Sequence, residues 1–169
     1  QFADSLLSLR NTFEEEFRIL FVNELRFGGD EEVLNLDVRI VSLWIITLAI
    51  PNDEYRDFIH TLFCKEAGFS EEETDLFLQQ VKERYRTYFE AYNMWVETKG
   101  GDIIGTAIIE TILNGNVGYS PKHDPLPLVG AIDAFKVYTL FSESFKATLG
   151  VIGKLKNSSK QMCDIALDA

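Results

Sequence analysis

The run IVSLWIITLAI, residues 40–50, is where helix and strand compete most openly. Together with Val38 it holds Ile40, Val41, Ile45 and Ile46, whose branched side chains suit a buried strand. The apolar pattern, however, reaches back to Leu34 and runs unbroken to Pro51, a length typical of helices rather than strands. No other run offers a convincing partner strand. The segment is therefore expected to be a helix, and its apolar second half marks a helix packed on several sides. It is too short to span a membrane, which takes about 20 apolar residues.

Working outward, glycines, prolines and caps divide the chain into further helices. The first is expected from Asp4 to Phe27, stopping at Gly28-Gly29. Leu6, Leu9, Phe13, Phe17, Leu20 and Phe21 share one face of it at 100° per residue. Glu24 falls in phase with Phe17 and Leu20; buried, its carboxylate would need a raised pKa or a cation, but it lies near the helix end, where the stripe can already reach solvent. In the third segment, DEYRDFIHTLFCKEAG (53–68), Tyr55, Phe58, Ile59, Leu62 and Phe63 form the apolar face. Asp57, His60 and Cys64 fall on the other side.

Ser70-Glu71-Glu72-Glu73 is a capping box, and the helix it opens is expected to reach Thr98 before Gly100-Gly101. A fifth, isoleucine-rich helix spans Asp102 to Leu113, where Gly105 permits close approach of a neighbour. After a loop over 114–123, Asp124 and Pro125 suit the start of a sixth helix reaching about Lys154. Its apolar face is read as Leu128, Ile132, Phe135, Tyr138, Phe141, Phe145, Leu149 and Ile152. The expected fold is an all-α, single-domain helical bundle of about six helices, with the second at its centre. The domain is assigned to residues 1–156, followed by a polar tail over 157–169.

Charge narrows the function classes. The 169 residues carry 27 acidic and 16 basic side chains, a net charge of −11. Such a surface repels phosphate backbones and anionic lipid, which argues against nucleic-acid and membrane partners. A protein partner, most naturally a basic one, fits better. Only two cysteines occur, Cys64 and Cys163, so there is no disulfide framework and a cytoplasmic location is expected.

Three clusters are candidates for chemistry. Asp57, His60 and Cys64 are all metal-ligand types, but a zinc site takes four protein ligands, or three and water. With two histidines and two cysteines in the chain, no metal or other cofactor is expected. A Cys64 nucleophile would also need an orienting group and an oxyanion hole. The second cluster, Tyr85, Tyr88, Tyr92 and Trp95, lies on one face of the fourth helix beside Phe89. It could line a ligand cavity with Trp44 and Tyr138, although tyrosines at the core margin are the plainer reading. The third, Tyr119, Ser120, Lys122 and His123, sits in the longest loop.

No catalytic constellation is complete, so the expected function is a non-catalytic acidic interaction or regulatory module. The alternative is a bundle binding a small aromatic or hydrophobic ligand at Tyr85, Tyr88, Tyr92 and Trp95. The fifth helix, apolar on most sides, is the candidate contact patch or homodimer seam.

Overall fold

The computed structural model describes residues 2–100 and 102–168, with the backbone alone for residue 155 and residues 157–168. Among them there are six α-helices and no strand: α1 Phe2–Ile19, α2 Glu31–Leu48, α3 Asp53–Glu66, α4 Glu71–Thr98, α5 Asp102–Ile112 and α6 Ala131–Asp168. The run that could have been a strand is therefore helical. Asp30 caps α2 by accepting from the Glu32 amide at 2.8 Å, and Glu31 and Glu32 complement its positive end. Every residue from Ile40 to Ile46 is buried. Helices α1, α3, α4, α5 and α6 all touch α2, which makes it the centre of the bundle.

Caps explain most boundaries. Asn52 caps α3 through the Tyr55 amide at 3.0 Å. Gly68, at φ 75°, ends α3 by turning the Phe69 amide onto the Cys64 carbonyl. Both bonds of the Ser70–Glu73 capping box are present at 3.1 Å.

Two boundaries differ from expectation. Helix α1 does not run regularly to Phe27, because residues Leu20–Glu24 form a π-helical turn. The Leu25 amide reaches the Leu20 carbonyl at 3.0 Å, five residues back. The segment then closes with Arg26 at φ 56° and the Phe27 amide on the Phe21 carbonyl, so the stop falls before the glycine pair. Helix α6 begins at Ala131 rather than after Asp124. Pro127 disfavours helical geometry at Leu126 and lacks an amide hydrogen, which keeps Pro125–Gly130 out of the helix. Asp124 instead accepts from the Ser120 amide at 2.8 Å. The stretch from Asn157, expected as a tail, continues the helix in its backbone, and its side chains lie outside the described residues.

The long connection between α5 and α6 is held from α4. Thr87 donates to the Tyr119 carbonyl at 2.7 Å, while Glu90 accepts from the Ser120 hydroxyl and the Lys122 amide. Burial works to raise the Glu90 pKa, but those two bonds, with His123 and Arg86 nearby, hold it below the usual glutamate value.

Candidate functional site

The aromatic residues of α4 meet the partners foreseen for them, but as ring-on-ring packing. Trp44 lies 5.2 Å from Tyr88 and stacks on Phe141 at 5.5 Å, measured between ring centroids. Trp95 packs against Tyr138 at 6.2 Å and Tyr92 against Phe145 at 6.3 Å. Tyr88 is 1% exposed. This aromatic seam joins α4 to α2 and α6, and each such pair contributes about 1 kcal/mol beyond area burial.

The two inner tyrosines differ in their hydroxyls. Tyr85 Oη lies 2.8 Å from His60 Nε2, whereas Tyr88 Oη is buried near Thr111 without a bond of normal geometry. Burial raises both phenol pKa values far above the usual range. Tyr85→Phe is therefore expected to lower stability by about 1 kcal/mol, through an unpaired His60 nitrogen. Tyr88→Phe removes an orphaned buried hydroxyl and is expected to be neutral or stabilising by up to about 1 kcal/mol. Urea melts of the two variants check the contrast.

The Asp57, His60 and Cys64 trio does not share a wet face. Asp57 is exposed, but Cys64 is 2% exposed and His60 is half-buried. Helix α3 is rotated so that its buried arc runs through Ile59, His60, Phe63 and Cys64, leaving Phe58 50% exposed. The cause is the α4 side of the helix, where Tyr85 meets His60 and Phe77 meets Phe63. Both imidazole nitrogens are engaged. Nδ1 lies 2.7 Å from the Arg56 carbonyl, which only accepts, so Nδ1 carries the proton and Nε2 accepts from Tyr85. Burial pushes the Cys64 thiol pKa up, against a weaker opposing bond to Thr74, so this thiol is not activated.

Burial likewise lowers the His60 pKa, outweighing the Arg56 carbonyl and Asp57, which favour the charged ring. The unfolded chain then takes up a proton first as pH falls below about 6.5. Stability should therefore be full above that pH and decline toward the lower folded-state value. Thermal melts from pH 7.5 to 5 should show a slope that His60→Gln flattens, whatever its own baseline.

A smaller cleft of about 280 Å³ lies at Val22, Phe27 and Leu34, and two larger ones are candidates for contact with other molecules. One, of about 490 Å³, lies between α1 and α3 around Arg10, Glu14, Arg39 and Phe63. Most of its charges pair with one another, and one buried donor, Arg10 Nε, meets no acceptor among the described residues. Glu14 pairs with Arg10, with Arg18 at 3.2 Å and with Arg39 at 3.8 Å, and both Arg10 and Arg39 lie over the Phe63 ring.

The other, of about 360 Å³, is a groove between the end of α1 and the first half of α6. Its walls are Ile19, Leu20, Phe135 and Leu140, with Ile19 50% and Phe135 65% exposed. Glu16, Glu24 and Glu143 rim it against one lysine, Lys136, which lies 3.8 Å from Glu24. The π turn creates this edge. Its extra residue advances the helix phase, so Leu25 points into the core and Glu24 stands out at the rim. Glu24 is thus an exposed carboxylate and not a buried one.

The apolar surface extends beyond the groove. Ile132, one turn from Phe135 on α6, is 73% exposed, and Leu126 and Leu128 just before the helix are almost wholly exposed. Sequence periodicity placed Leu128, Ile132, Phe135 and Leu149 on the inward face. Phe141 and Ile152 are buried as expected, and Tyr138 and Phe145 pack against the core, but the other buried positions are Ala134, Val137, Ser144 and Thr148. The reason is the closeness of α5, where Gly105 sits directly against the Ala134 backbone, so that small residues face inward. The fifth helix itself is no contact patch: its isoleucines 104, 108, 109 and 112 are all buried. Among the described residues no helix is long and apolar enough to cross a membrane, and no cluster of three metal-ligating side chains occurs.

No protein-family model matches the chain, and no curated protein or solved structure is significantly similar to it.

Proposed function

We propose that the chain is a non-catalytic interaction module that docks a partner protein along the groove between α1 and α6. The observation that carries this reading is that exposed Ile19 and Phe135 line one groove, with exposed Ile132 a turn from Phe135. Large aromatic side chains at such positions are typical binding anchors, and the acidic rim supplies the polar border that interfaces have. His60 and Cys64 are engaged in packing, Asp57 stands apart from them in solvent, and the aromatic residues of α4 are engaged with rings of α2 and α6. Neither competes as a contact surface.

Phe135→Asp tests the reading because an exposed side chain can be changed with little effect on folding, about 0.5 kcal/mol. Loss of an aromatic anchor should weaken partner binding roughly 30-fold or more. Quantitative co-purification from the source should lose a protein present with the parent chain and with Leu76→Asp, a change on α4. An unchanged set of co-purifying proteins for Phe135→Asp would refute the proposal.

A further inference from the structure

We infer that the occupant of the groove is a basic amphipathic helix belonging to a partner protein. This inference rests on the docking function proposed above and adds the chemistry of what docks. Three features of the groove lead to it.

The first is shape. The groove lies between two helices, the position a further helix would take in extending the bundle by ridge-and-groove packing. Among the described residues there is no strand, so no sheet edge invites an extended peptide. A docked helix would present apolar side chains three and four residues apart to Ile19, Phe135 and Leu140.

The second is charge. Glu16 and Glu24 stand on the α1 side and Glu143 on the α6 side, so carboxylates flank the apolar floor on both sides. Lys136 is the single basic group there, and Glu24 already lies beside it. Lysine or arginine on both flanks of the incoming apolar face would meet this rim.

The third is what the charge excludes. A symmetric dimer through this patch would bring together two surfaces that each carry three carboxylates and one lysine, on chains of net charge −11. Anionic nucleic acid or lipid would meet the same repulsion.

The test is a selection from a random peptide display library on the intact chain, with Phe135→Asp as counter-selection and light scattering for its oligomeric state. Circular dichroism of the variant checks that it folds. The inference predicts enriched sequences with apolar residues at three- and four-residue spacing and lysine or arginine beside them. Their binding should weaken about tenfold or more between low and high salt. It should also weaken when Glu16 and Glu143 are changed to glutamine. Enrichment of acidic, neutral or extended sequences that still require Phe135 would overturn the basic helix while leaving the docking function intact. Phe135-dependent self-association would make a second copy the occupant and overturn it as well. If nothing that enriches depends on Phe135, both the inference and the docking function fail.

Discussion

Replacing Gly105 by alanine is expected to destabilise the bundle by about 3 kcal/mol or more, and replacing it by valine to prevent stable folding. A β-carbon at this position would stand 2.0 Å from the Ala134 carbonyl oxygen and 2.8 Å from its carbon. These are backbone atoms, and no rotamer change moves them. Relief requires α5 and α6 to separate, which would loosen the buried Ile104 and Ile108 and the turn of α6 around Ala134 and Val137. Alanine's advantage in helix propensity, about 1 kcal/mol, is too small to compensate. For a chain of this size, the midpoint of thermal unfolding should fall by roughly 6–12 °C. Gly150 and Gly153 provide the internal control, since a β-carbon at either meets nothing within 4 Å. There alanine should stabilise α6 by about 0.5–1 kcal/mol. Equal losses at all three glycines would show that the close α5–α6 contact is not what Gly105 serves.

The second large effect is expected at Asp37 and Arg84, a buried pair joining α2 to α4. Arg84 Nε donates to Asp37 Oδ1 at 2.5 Å, and both side chains are more than nine-tenths buried. Even so, the Asp37 pKa is raised, because burial outweighs the attraction and the bond from Arg84. A raised carboxyl pKa means that the folded chain holds its proton longer than the unfolded one. This group's contribution is thus most favourable at low pH and declines as pH rises through the folded value. For a pair buried this deeply, the cost of desolvating both charges offsets much of their attraction. Removing one partner is worse, because it strands the other charge: Asp37→Leu or Arg84→Met alone should cost about 3–5 kcal/mol. The double variant should lie within about 1 kcal/mol of the parent or above it. Urea denaturation of the four proteins measures this coupling, and additive losses in the double variant would contradict the account.

The sequence was readable wherever a local rule decided the outcome. Seventeen consecutive positions from Leu34 to Ile50 settled α2 by length, and the Ser70–Glu73 box marked the start of α4. Gly105 was legible too, as a position where a neighbour comes close. What failed was phase. Periodicity counts apolar residues without knowing which neighbour is closest, and α6 carries two usable stripes. At the start of α6 the larger Ile132 and Phe135 were read as inward, whereas the smaller Ala134 and Val137 are buried, because Gly105 draws α5 down onto Ala134. The same limit left Glu24 open between a buried and an exposed carboxylate, since a single π turn shifts every residue after it and no residue type announces it. In α3 the buried arc moved toward His60 and Cys64 because their partners, Tyr85 and Thr74, come from α4. The groove was invisible for the same reason: periodicity assigns two of its walls, Leu20 and Phe135, to the interior.

The most direct measurement of the docking function is photo-crosslinking in the cells that make the protein, with a benzophenone side chain at one position at a time. Positions 132 and 135 report on the groove and its extension, and positions 58 and 76 report on comparably exposed apolar sites on α3 and α4. The docking account predicts a discrete crosslinked protein from 132 and 135 and none from 58 or 76. Crosslinks concentrated at 58 or 76, with 132 and 135 silent, would contradict it.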